Sequence, residues 1–143
     1  MKRFFLLIFL VFFFNSYSQT ETEADIKAIH KVLEKQKTAW SNNNIEDYML
    51  GYWKSDSLKF YGSNGITYGW KNTLERYKKA YPTKDHTGKL DFKINDISKI
   101  SEDAYFVMGE FYLIRKTGNA NGIFMIIFKK INGLWKIIAD MSA

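Results

Sequence analysis

An α+β fold is predicted, built as a cone-shaped, bent antiparallel sheet with three helices on its concave face. Three observations predict it. Before Pro82, apolar residues recur at three- and four-residue intervals, the period of amphipathic helices. After it, long runs rich in Ile and Phe read as strands. The last two runs, Gly122 to Ile131 and Leu134 to Ala143, are joined by Asn132-Gly133, residues that tolerate positive φ and close a hairpin. Neither run alternates cleanly between apolar and polar, so both faces call for cover, and one carboxylate, Asp140, sits near the end. Early helices followed by strands place a helical layer on one face of a bent sheet, which leaves a pocket at the open end of the cone.

The elements follow in order. Thr20 to Asn42 reads as a helix, with Ile26, Ile29, Val32, Leu33 and Trp40 on one face and Gln36 in the middle of it. Asn42-Asn43-Asn44 ends that helix and caps a short second one, marked by Ile45, Tyr48, Met49 and Tyr52, with Asp47 at its third position. Leu58 to Tyr61 and Ile66 to Tyr68 are short strands around a Gly-Ser-Asn-Gly turn. A third helix runs from Trp70 to Tyr81, with Trp70, Leu74, Tyr77 and Tyr81 on one face, and Pro82 stops it. Lys89 to Ile100 alternates at first and then shifts its spacing, which predicts a bulge near Asp96. Ala104 to Lys116 and the closing hairpin complete the sheet.

The amino terminus reads as a signal peptide over residues 1–18. Lys2-Arg3 form the charged region, Phe4 to Phe14 the apolar region, and Ser16-Tyr17-Ser18 places small residues where a signal peptidase reads. The apolar run is too short to span a bilayer, which takes ~20 residues. The expectation is export, to the periplasm or beyond, with no stable membrane anchor after cleavage. Removing eighteen residues from 143 leaves a single domain of 125, residues 19–143. With no Cys, it must be held by packing. The formal charge of +6 falls to +4 once Lys2 and Arg3 are gone, and the remaining lysines are dispersed rather than clustered, which argues against nucleic acid as a partner.

Several local patterns recur together. Ala39-Trp40 precedes Asn43-Asn44-Ile45-Glu46; then come the Gly62 to Gly65 turn, Gly69, Glu75-Arg76-Tyr77 through Tyr81-Pro82, and Gly133-Leu134-Trp135-Lys136-Ile137 with Asp140 behind. In order and spacing, from about Asp25 to Ser142, the chain resembles the nuclear transport factor 2-like superfamily, also called SnoaL-like or cystatin-like, and within it the small exported bacterial members of undefined activity. That resemblance implies the cone fold but no single activity, because the fold hosts isomerases, dehydratases, cyclases, epoxide hydrolases and assembly domains. Related exported domains often close with Asp-His-Thr-Ser. Here the positions read Asp140-Met141-Ser142-Ala143, so the His and any proton transfer it carries are absent. The ketosteroid-isomerase pattern departs at all three of its positions, which fall near Tyr61, Gln36 and Ile126.

No complete catalytic constellation is visible. His30 and His86 lack ligand spacing, so no metal site is expected, and no cofactor motif is present. Candidate ligand-binding residues are Gln36, Trp40, Tyr48, Tyr52, Tyr61, Tyr77, Tyr81, Glu110 and Asp140. The aromatics among them are placed on inward faces, where they serve as core or as pocket wall. Gln36 either satisfies a core group or points into a cavity. Asp140 is either a pocket acid or part of a frayed end. Glu110 lies on a strand that is apolar on both faces, so alternation leaves its direction open. The expected function is binding of a small, largely apolar molecule between helices and sheet. The alternatives are an isomerase, cyclase or hydratase using a pocket carboxylate, or a structural dimerisation module. A homodimer through the sheet is expected, because its second face would otherwise be an exposed apolar patch.

Overall fold

Ile29, Leu33, Gln36 and Trp40 form the stripe that the first helix, α1 (Lys2–Ser41), buries. The structure, a computed structural model, describes residues 21–143; the segment read as a signal peptide lies outside them. Asn43, at φ 58°, turns the chain into α2 (Ile45–Met49). Asn44 caps that helix by accepting from the Asp47 amide at 3.1 Å. A hairpin follows, β1 (Lys59–Gly62) and β2 (Gly65–Tyr68), then α3 (Trp70–Ala80), then a single turn, α4 (Lys84–Thr87). Four long strands complete the domain: β3 (Lys89–Ser101), β4 (Ala104–Ile114), β5 (Ala120–Ile131) and β6 (Leu134–Ser142). Among the described residues no helix is long and apolar enough to cross a membrane.

The structure corrects the expected architecture twice. Among the described residues there are four helices, not three: Thr83 to Gly88, between the third expected helix and the first long strand, contains α4. One turn is too short for hydrophobic periodicity to reveal. It is fixed by tertiary contacts instead. The Trp40 indole donates to the Thr87 carbonyl at 3.0 Å, and Thr87 is fully buried. Gly88 ends the turn at φ 62°, with its backbone against the Ile114 carbonyl, where a side chain has no room.

The sheet is also mixed rather than antiparallel throughout. Its order is β2-β1-β6-β5-β4-β3, and β1 runs parallel to β6, with Phe60 opposite Asp140. Short turns dictate antiparallel pairing between sequence neighbours. The pair β1 and β6 is joined by no turn, and its direction is set only when the hairpin docks.

Two irregularities in the sheet matter for the interior. The first is the bulge near Asp96, which falls between Ile94 and Asp96. The second is in β6. Phe128 pairs with Ile137 and Ile127 with Ala139, so Ile138 is an extra residue. Trp135 and Ile137 face inward before it; after it the parity reverses, and Asp140 and Ser142 face inward opposite Ile126 and Phe124. A carboxylate thus enters a face that strict alternation would have kept apolar. The inner face is otherwise Leu90, Phe92, Tyr105, Val107, Phe111, Leu113, Phe124 and Phe128 packed under the helices.

Candidate ligand site

Between helices and sheet the structure leaves a cavity of about 280 Å³, near the lower end of the range for small-molecule sites. Its walls are Leu33, Leu90, Phe92, Phe111, Leu113, Phe124, Ile126 and Ile137 with a cluster of aromatic rings. Trp40 is the centre of that cluster. Tyr48, Tyr77 and Tyr81 meet it edge-on with centroids at 4.9, 5.6 and 4.6 Å. Phe60 packs edge-on against Tyr77 at 5.3 Å. Toward solvent the lining changes to Ser63, Asn64, Arg76, Ala80 and Ala143.

The polar groups around Asp140 form one chain. The Tyr52 hydroxyl donates to Asp140 Oδ2 at 2.6 Å, and the Ser142 hydroxyl donates to Asp140 Oδ1 at 2.6 Å. A hydroxyl has one proton, so once Tyr52 gives it to Asp140 its oxygen can only accept from Tyr48 at 3.4 Å and Tyr77 at 3.5 Å. These are long, weak contacts. The oxygens of Tyr48 and Tyr77 then keep their lone pairs for a bound molecule. Gln36 closes the group from α1, its amide donating to the Tyr48 carbonyl at 3.1 Å.

Asp140 is 7% exposed, and no ion pair among the described residues involves it. Burial pushes its pKa up, opposed by the hydrogen bonds from Ser142 and Tyr52. Burial likewise drives the phenols of Tyr48, Tyr52 and Tyr77 above their ordinary range, with the Asp140 charge adding to it, so all three are neutral donors and acceptors.

The candidate residues divide as follows. Gln36, Trp40, Tyr48, Tyr52, Tyr77 and Tyr81 line the cavity. Asp140 lies one hydrogen bond behind it, covered by Tyr52 and Ser142. Two candidates are misplaced. Tyr61 is 51% exposed, because in a strand of four residues the inward position belongs to its neighbour Phe60. Glu110 lies on the outer face, opposite Lys93 and Ile123, where its carboxylate meets Lys93 Nζ at 2.8 Å. The hydrogen bond and charge of Lys93 hold its pKa below the usual range. The lining residues that went unread include Phe60, hidden by the strand's parity; Ser142, re-aimed by the bulge; and Arg76, which shares a helical face with Tyr77 and Ala80.

His30 is exposed, and His86 bonds Thr83 Oγ1 at 2.8 Å away from the cavity. Among the described residues no group of His, Cys, Asp and Glu could hold a metal ion.

No family model matches this chain. No curated protein matches it either. Solved structures do. An NTF-2 like protein of unknown function from Shewanella oneidensis MR-1 is 34% identical, with a TM-score of 0.79, over 82% of this chain and 98% of that one. A protein of unknown function with a cystatin-like fold from Nostoc punctiforme is 14% identical, with a TM-score of 0.67, over 83% of this chain and 90% of its own. A ketosteroid isomerase-like protein from Erwinia carotovora atroseptica is 17% identical, with a TM-score of 0.64, over 81% and 92%. At such identities the last two share the fold alone.

Proposed function

The chain belongs to the nuclear transport factor 2-like family, and on that premise we propose that it binds a small, largely apolar molecule in the cavity between helices and sheet. One observation carries this reading: the cavity is walled mainly by aromatic and aliphatic side chains, and among its polar groups the hydroxyls of Tyr48, Tyr52 and Tyr77 converge. A cavity of that composition binds by excluding water from apolar surface and orients its guest through a few hydrogen bonds. Catalysis by Asp140 is less well supported, since both its oxygens are taken by Tyr52 and Ser142 and its side chain does not line the cavity. A general base must reach the proton it removes. Native mass spectrometry of protein purified from its own host tests the reading. A bound small molecule is expected in the wild type and lost in Tyr77→Ala. Unliganded protein that also fails to bind apolar probes would refute it.

Two further parts of the proposal concern context. The domain is exported, on the strength of Lys2-Arg3, the apolar run Phe4 to Phe14 and the Ser16-Tyr17-Ser18 site. Amino-terminal sequencing of the exported protein should begin at Gln19; an intact Met1 would contradict it. The outer face of the sheet pairs with a second copy of the chain. There, Met108, Met125, Met141, Tyr61 and Ile66 stand opposite one another across five strands, an unbroken apolar row on the side away from the helices. Ile114 and Ile123 extend it, 64% and 60% exposed. Light scattering should give a dimer at micromolar concentration, and Ile123→Asp should give a monomer. A monomeric wild type would contradict the pairing.

A further inference from the structure

Arg76 stands apart from the other cations of the domain. It projects from the face of α3 that also carries Tyr77 and Ala80, and all three line the cavity. Its guanidinium lies over the Phe60 ring at 4.9 Å. Nη1 donates to the Gly65 carbonyl at 3.2 Å and to Thr67 Oγ1 at 2.8 Å, so the β1–β2 hairpin holds the group from one side. Nη2 packs so closely over the Gly62 backbone that a Cβ there would come within 2.7 Å of it. The side chain is half-buried and fixed at three points. Eight ion pairs occur among the described residues, and Arg76 is in none of them.

A guanidinium placed in this way is preorganised for an anion. The planar fork suits a carboxylate, which it can meet through two parallel N–H donors. Around it the polar side chains Ser63 and Asn64 line the same mouth, while the deeper wall is mainly aromatic and aliphatic, its polar groups being Gln36, Ser142 and the tyrosine hydroxyls. The interior's own acid is no competitor, because Asp140 is covered by Tyr52 and Ser142. We infer that the guest is an amphipathic monocarboxylic acid, its carboxylate held by Arg76 at the mouth and its apolar body inserted among Trp40, Phe60 and Phe124. This rests on the reading of the cavity as a binding site and adds the chemical class of the ligand.

The test uses matched pairs of probes. Phenylalkanoic acids, from phenylacetate to 6-phenylhexanoate, are titrated by calorimetry alongside the primary alcohol of each. The pair shares its apolar body and differs in the charged head. In the wild type the best acid should bind about tenfold or more tightly than its alcohol, as expected for a hydrogen-bonded charge. Arg76→Gln should remove that preference, so that acid and alcohol bind the same variant with affinities within about threefold of each other, and far-ultraviolet circular dichroism should show that the variant is folded. Arg76→Lys keeps the charge without the fork and should fall between. If alcohols bind as well as acids in the wild type, the cavity reading stands and the carboxylate site is overturned. If the acid preference survives Arg76→Gln, the site is likewise overturned. If neither series binds, the cavity reading itself fails and takes this inference with it.

Discussion

Replacing Tyr52 by Phe isolates the interaction that places a carboxylate in the interior. The change removes one oxygen and leaves the ring, so it opens almost no cavity. It deletes the 2.6 Å hydrogen bond to Asp140 and leaves that buried side chain with Ser142 alone. Its contacts to Tyr48 and Tyr77, at 3.4 and 3.5 Å, are too long to weigh much. A hydrogen bond to a charged group contributes about 1.5–3 kcal/mol and one between neutral groups about 0.5–1.5. With Asp140 ionised, Tyr52→Phe should therefore cost about 2–3 kcal/mol. In an Asp140→Asn background the cost should fall to about 1 kcal/mol, because the Asn oxygen still accepts from Tyr52 while its amide donates to Ser142. The coupling energy of the pair is then about 1–2 kcal/mol.

The pH dependence carries the same sign. Burial raises the folded pKa of Asp140, so the folded chain holds that proton more tightly than the unfolded one. The stability contributed by protonation is full below the unfolded value of about 3.9 and is lost as pH rises through the raised folded value. Tyr52 favours the charged form, so its removal should cost most above that folded value and least below it. Urea unfolding followed by Trp fluorescence, for wild type, both single variants and the double variant at several pH values, measures all of this. Equal costs of Tyr52→Phe in the Asp and Asn backgrounds, unchanged with pH, would refute the argument.

Three other outcomes follow from the packing. Tyr105 is fully buried, and its hydroxyl has no hydrogen-bond partner among the described residues; Tyr105→Phe should be neutral or stabilising by up to about 1 kcal/mol in the same urea assay. Gly88→Ala should destabilise by about 3 kcal/mol or prevent folding, since a Cβ meets the Ile114 carbonyl and φ is 62°; a urea midpoint near the wild type would count against the close approach. Tyr61→Ser lies on the outer face, so calorimetry with apolar probes should show unchanged affinity, while Phe60→Ser should abolish it.

Local chemistry was enough for much of the architecture. Asn43-Asn44 ends one helix and caps the next through side-chain and φ preferences that any chain would show, and Pro82 lacks the donor and freedom to continue α3. The stripe through Ile29, Leu33, Gln36 and Trp40 told which face of α1 is buried, because helical period alone decides that. Asn132-Gly133 closes the last hairpin with both φ values positive, 50° and 77°, a property of the two residues themselves. What lay beyond the sequence had no local signature. One turn of helix at α4 exists because Trp40 and Ile114 hold it in place. Strand β1 meets β6 in parallel because docking, not a turn, brings them together. Tyr61 faces solvent while Phe60 faces in, since four residues of strand carry no readable parity. Glu110 points outward because its cross-strand partners Lys93 and Ile123 share the outer face. Asp140 points inward because one extra residue, Ile138, reverses the alternation of β6. A one-residue shift in register moves every later side chain to the opposite face, and only the pairing of whole strands determines where such a shift falls.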